Sequence, residues 1–402
     1  MSFNIHRFHF FGSRETNFLY LTLGLSYFGK GLINIFIPIY FWKLGFPFWK
    51  ILLFYFFISL FFIMIAFLII PLLRKISDEM MLLVSIPFLI AYYLGLSFIV
   101  SVPFLFYVLP FLTAVHMFLF NTGYHLKFTD AVSGKHIGYE LGARDAIGKV
   151  FEFSAPVIGG LIIGFLGFKI NFIVGSIVLF LSVLPLFFVS KRKFPAKLSN
   201  HLVWNLLKNK DLRPFNKVAL GYGAETMVDR IIWPLFIFLV IGNIQVFGGI
   251  ISLGIFISIL TAYCAGFLSD KGKRRTTIAF SSVLSSMIWV ARPFLAVPLL
   301  IIGSHISGKI IYSPLMVAWA SQYYKIAKKV SAKSVFIFVQ EILYHIARIV
   351  FLPILILLSL IFPTEYFFKI AFILAAVLML SYLFANKMNF DNINKDEYSI
   401  KE

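Results

Sequence analysis

The sequence is short of charge and almost without cysteine. Charged residues fill 13% of its 402 positions, against about a quarter in a soluble domain. So few charges cannot cover a water-facing surface. The one cysteine, Cys264, sits in an apolar stretch, which leaves no partner for a disulfide within the chain. No paired Cys/His spacing offers a metal site, and no cofactor is expected. Runs of alternating polarity, which a membrane β-barrel requires, are missing. So is a Walker phosphate loop or a soluble nucleotide-binding domain, which excludes an ATP-driven pump. The opening MSFNIHRFHFFGSRET does not lead into a short apolar core with a small-residue cleavage site. The first apolar helix is therefore expected to act as its own insertion signal.

What is present is apolar. Hydrophobic residues make up 60% of the chain and phenylalanine alone counts 50. A bilayer core about 30 Å thick takes about 20 apolar residues per helix. Only helices can satisfy the backbone of such a chain in lipid. Twelve spans are expected: 17–42, 51–73, 80–100, 102–128, 144–166 and 170–189, then 215–241, 246–268, 276–290, 297–320, 335–361 and 367–385. This is an all-α membrane protein of two six-helix bundles, over residues 1–190 and 214–386. A linker, 191–213, joins them and a polar tail, 387–402, follows. Within the linker, His201 to Lys208 is expected to form a short amphipathic helix at the membrane surface.

The net charge is +19. Its distribution excludes nucleic acid as a partner, because the basic residues fall between apolar spans. Loops after even-numbered spans hold Arg74, Lys75, Lys191, Arg192, Lys193, Lys271, Lys273, Arg274, Arg275, Lys328 and Lys329, among others. The opposite loops hold little beyond Lys43, Lys50, Lys169 and Lys369. By the positive-inside rule both termini are cytoplasmic, and the setting is a multi-pass protein of a prokaryotic cytoplasmic membrane. Oligomeric state is not legible.

The halves carry matching marks. Ile37-Pro38-Ile39 corresponds to Trp233-Pro234-Leu235, 196 positions on, and Ile76-Ser77-Asp78 to Leu268-Ser269-Asp270. Asp145, Lys149 and Glu152 stand at i, i+4, i+7 in span 5; Glu341, His345 and Arg348 repeat that spacing 196 positions later in span 11. Together they suggest a parallel internal repeat.

The stretch Gly266 to Arg275, GFLSDKGKRR, resembles the loop signature of the major facilitator superfamily, with Gly266, Leu268, Ser269, Asp270 and Lys271 in register and Gly272 one place early. The first-half copy keeps only Ile76, Ser77 and Asp78. The segment APVIGGLIIGFLGF in span 5 is similar to the same superfamily's Gly-Pro-x-x-Gly-Gly segment, with Ala155 in place of glycine. The resemblance implies a divergent secondary transporter, not an enzyme, working by alternating access. It further implies that Asp78 and Asp270 bridge the halves on the cytoplasmic side and stabilise the outward-open state. Gly266, Lys271, Arg274, Arg144 and Asp145 join that gating set. In that fold spans 1, 4, 7 and 10 line the path and spans 5 and 11 border it.

Ionisable groups at membrane depth are costly and usually face a cavity or a partner. Here they concentrate on six spans: Lys30; Lys149 and Glu152; Glu225, Asp229 and Arg230; His305 and Lys309; Glu341, His345 and Arg348. One reading makes the cations attract a small anionic or zwitterionic solute while Glu225, Asp229 or Glu341 carries a coupling proton, with sodium the alternative ion. A low-dielectric cavity favours the neutral carboxyl, which suits proton exchange. The competing reading is a set of mutually neutralising ion pairs that hold helices in register. His116 reads as a hydrogen-bonded core histidine, and Gly159 and Gly160 as packing residues. Two rival functions remain at this point: a lipid-linked saccharide flippase, favoured by the buried cations, and a membrane-embedded sensor or enzyme. The charges spread over six spans argue against a catalytic cluster.

Overall fold

The computed structural model describes residues 14–73, 76–131, 148–185, 200–268, 273–330 and 333–387. Every regular element among the described residues is helical. Span 1 is Arg14–Ile33, a 3₁₀ turn Asn34–Phe36, and Ile37–Lys43. Span 2 is Phe48–Leu73, span 3 Asp78–Leu96 and span 4 Leu105–Ala131. Span 5 covers 148–166, broken at Ser154 ahead of Ala155–Leu166, and span 6 is Phe168–Val183. A short helix, Asn200–Lys208, precedes span 7. Span 7 is Arg213–Met227, a π turn Val228–Ile232, and Trp233–Ile241. Span 8 is Ile244–Leu268, span 9 Arg274–Ala291, span 10 Pro298–Lys329 and span 11 Lys333–Ile361. Span 12 is Thr364–Met379 with a 3₁₀ extension Leu380–Lys387.

Nine of these spans are, among the described residues, long and apolar enough to cross a bilayer by themselves. Span 6 is shorter, and spans 7 and 9 carry more polar residues. Span ends follow local chemistry. Ser77 caps span 3, its Oγ accepting from the Met80 N–H at 3.2 Å. Gly242, at φ +70°, ends span 7 in the left-handed conformation that glycine tolerates. Asn243 then opens span 8 by accepting from the Val246 N–H at 2.9 Å.

Span 10 departs most from the sequence expectation. It runs on from Ala320 to Lys329. The added turns bury Tyr323, Tyr324, Ile326 and Ala327, and Tyr323 packs on Phe215 of span 7 and Phe336 of span 11. Packing, not hydropathy, carries the helix past the apolar run.

The first six spans meet the last six along two pairs: span 2 lies against span 11 and span 5 against span 8. The second pair is close enough to need glycine. A Cβ on Gly248 would meet the Pro156 carbonyl oxygen, and one on Gly160 would lie 2.8 Å from the Ile244 oxygen. The break at Ser154 leaves the Val157 N–H to donate to Ser252 Oγ at 3.0 Å, a hydrogen bond between the halves.

Candidate functional site

Spans 1 and 7 are both distorted ahead of a proline. Pro234 has no N–H, and its ring crowds the carbonyl four residues back, that of Arg230. Span 7 answers with the wide turn Val228–Ile232. Pro38 stands likewise to Asn34, and span 1 answers with the tight turn Asn34–Phe36. Such turns re-aim side chains and recur at functional sites.

Around the turn in span 7, Asp229 Oδ2 lies 3.6 Å from Lys309 Nζ of span 10, with side chains 21% and 25% accessible. Glu225, one turn earlier, is 1% exposed, and neither of its carboxyl oxygens has a hydrogen-bond partner. It lines a cavity of about 20 Å³ with Asp229, Ser285, Arg292, Lys309 and Tyr312. That volume holds about one water. The Arg292 guanidinium is clamped between two indoles, 3.8 Å from the Trp233 centroid and 3.7 Å from that of Trp289. Its Nε donates to Ser304 Oγ at 3.3 Å, and its Nη1 is buried without a partner. Trp233 donates from Nε1 to His305 Nδ1 at 3.2 Å. Arg230 differs from these: it is exposed in mid-span, while residues 223–228 and 231–235 are buried. It lies within electrostatic reach of Tyr222, Tyr312, Asp229 and Glu225.

The stripe on span 11 divides its work. Arg348 donates to the Gly223 carbonyl at 3.4 Å, to His345 Nε2 at 3.2 Å and to Thr226 Oγ1 at 3.5 Å, all within the last six spans. Glu341 and His345 reach the other half. Glu341 Oε2 accepts from Asn121 Nδ2 of span 4 at 3.0 Å, and the His345 ring stacks on Phe62 of span 2 at 3.7 Å. Lys149 of span 5 donates to Ser313 Oγ of span 10 at 3.4 Å. In the first half, Lys30 Nζ sits 3.5 Å above the Phe120 ring and within electrostatic reach of Glu152. His116 donates from Nδ1 to the Ser85 carbonyl at 3.0 Å in the core.

No protein-family model matches the chain, and no curated protein sequence matches it. Solved structures do. The crystal structure of the human organic anion transporter MFSD10 (TETRAN) is similar over 93% of this chain and 99% of that one, with a TM-score of 0.67 at 12% identity. The nucleoside transporter NupG is similar over 94% and 98%, with a TM-score of 0.67 at 14% identity. The Escherichia coli fucose:proton symporter FucP is similar over 94% and 100%, with a TM-score of 0.67 at 13% identity. The fold is that of the major facilitator superfamily.

Within that fold the chain is an integral multi-pass membrane protein. The charged side chains noted in the sequence meet in two groups. Glu225, Asp229, Arg230, His305 and Lys309 gather between spans 7 and 10. Lys30 and Glu152 lie together between spans 1 and 5. Arg348 joins the first group through span 7, while Lys149 and Glu341 bind across the halves. Of the gating set, Gly266 lies in the last turn of span 8 and Arg274 begins span 9, and Asp78 is the first residue of span 3. Arg144, Asp145, Asp270 and Lys271 fall outside the described residues. Three further residues are not legible as site residues from the sequence: Arg292, which lies just beyond the expected end of span 9, and Asn121 and Asn34, whose uncharged amides stand out from no hydropathy profile. The matched Pro38 and Pro234 were the available signal for Asn34.

Proposed function

We propose that this protein is a secondary active transporter that moves a small anionic or zwitterionic solute through a passage between its two six-helix halves, driven by protons. The observation that carries the reading is Arg230, a guanidinium exposed at mid-span among buried neighbours. A cation at that depth is costly in lipid and tolerable beside water. Across the two groups and the contacts between the halves, Lys30, Lys149, Arg230, Arg292, Lys309 and Arg348 outnumber Glu152, Glu225, Asp229 and Glu341. With all ten ionised, the surplus is positive and favours a negatively charged solute.

Glu225 is the candidate for the proton. An ionised carboxylate buried without a partner costs several kcal/mol, a cost that protonation removes. Asp229, held by Lys309, is the neighbour whose charge changes with it. The alternating-access motion would have to part contacts such as Asn121–Glu341 and Lys149–Ser313. The basic loops, the linker helix and both termini belong on the cytoplasmic side in this reading, with Asp78 and Asp270 at the gate there.

The test is uptake into proteoliposomes of labelled lactate, glutamate, phosphate and fucose under an imposed inward proton gradient. The reading expects uptake of at least one anion or zwitterion, abolished by a protonophore and lowered at least about ten-fold by Arg230→Ala, the scale of one lost charge-assisted hydrogen bond. Uptake of fucose alone would overturn the anionic class. No uptake of any soluble probe, with scrambling of a lipid-linked saccharide instead, would replace transport by flipping.

A further inference from the structure

Asn34 occupies the tight turn of span 1 and is exposed, while Leu32, Ile33, Phe36, Ile37 and Ile39 around it are buried. The strip of helix it occupies can be located from its neighbours. Four residues earlier, Lys30 touches Phe120 of span 4. Three residues earlier, Gly31 packs on Ala155 and Glu152 of span 5. Gly29 and Ile33 pack on Leu179 and Gly175 of span 6. Asn34 therefore looks out between spans 4 and 5. Those two spans contact the second half, span 4 through Asn121 and Glu341 and span 5 through Val157 and Ser252. The open strip lies on the side where these spans meet the second half.

Arg230 is its counterpart, 196 positions on, each four residues before the matched proline. Asp229 beside it binds span 10 through Lys309, and Gly223 two turns earlier packs on the backbone of Tyr344 in span 11. The two distorted turns thus present one exposed polar side chain each, Asn34 and Arg230, from opposite halves. The Asn34 amide is also oriented. Tyr93 of span 3, itself fully buried, donates its Oη–H to Asn34 Oδ1 at 2.6 Å. With Oδ1 engaged as acceptor, the donor end, Nδ2, is the part free to meet a solute.

Resting on the transport reading above, we infer that Asn34 is a substrate-binding residue. Its amide donates to an anionic oxygen of the solute, a carboxylate or phosphate, that Arg230 holds from the other half, and Tyr93 is the positioning residue that fixes the amide. The solute would then bridge the two halves at their matched turns. Such a bridge gives binding energy to a state in which the halves lie close.

The experiment measures stabilisation of the purified full-length protein by lactate, glutamate and inorganic phosphate, converting the thermal shift against concentration to Kd. It compares wild type, Asn34→Ala, Asn34→Asp, Tyr93→Phe and Arg230→Ala, with each unliganded Tm as the folding control. For the anion that stabilises wild type, Asn34→Ala is expected to weaken binding about ten-fold, the scale of one hydrogen bond to a charged group. Asn34→Asp should abolish it by like-charge repulsion. Tyr93→Phe should weaken it less, and add nothing in the Asn34→Ala background. Unchanged Kd in both Asn34 variants, with binding lost in Arg230→Ala, overturns the role of Asn34 and leaves the transport reading standing. Stabilisation of wild type by none of the anions overturns this inference and the anionic class together.

Discussion

Glu225 and Arg292 line one cavity with room for about one water, yet three of their polar atoms have no hydrogen-bond partner. Buried polar atoms are nearly always satisfied, so three such atoms at one cavity call for a partner, a water or a proton. Replacing Glu225 by Gln keeps the shape and fixes the neutral form. The expected outcome is loss of gradient-driven uptake, at least about a hundred-fold if the proton step is obligatory, with solute exchange across symmetric liposomes kept within about three-fold. Parallel loss of both activities would mean that Glu225 is structural. At this scale the sequence revealed the acids and bases but not their company. Arg292 lies past an apolar run and looked like a helix-end charge; only the fold brings it between Trp233 and Trp289.

The helices were legible because hydropathy and the spacing of Lys and Arg speak for whole segments. What those signals miss is a helix that stays helical while changing its winding. Pro38 and Pro234 were visible as a repeat, but whether a proline yields a 3₁₀ turn, a π turn or a kink depends on packing around it. Span 10 shows the same limit, since its last turns are polar in part and held by Tyr323 and Tyr324. A prediction belongs here. Pro234→Ala removes the ring that crowds the Arg230 carbonyl and lets the turn rewind toward α geometry. The protein should fold with a Tm equal to or above wild type, since proline inside a helix costs about 3 kcal/mol relative to alanine. Anion uptake should fall at least about five-fold, because Arg230 and Asp229 are re-aimed. Wild-type uptake in a folded Pro234→Ala protein would show that the π turn has no functional weight.

For the molecule as a whole, the two halves touch along spans 2 and 11 and along spans 5 and 8, through glycine-close backbone on one pair and aromatic stacking such as Phe62 on His345 on the other. Polar side chains also join the halves, Asn121 with Glu341 and Lys149 with Ser313. A hydrogen bond to a charged group is worth about 1.5 to 3 kcal/mol, a scale at which a bound solute can shift the balance between arrangements. The superfamily resemblance pointed to this architecture from a few loop residues. Residues 269–272 of the stretch that carried it lie outside the described residues, so the fold supports the resemblance by a different route, from the path of the spans.

The account stands on water reaching Arg230 between the halves. The direct measurement is labelling of Arg230→Cys, in a Cys264→Ser background, by a membrane-impermeant maleimide applied from either side of sealed vesicles. The account predicts labelling at a rate within about a hundred-fold of a loop cysteine. Labelling only by a lipid-soluble maleimide would place this position against the bilayer and contradict the passage.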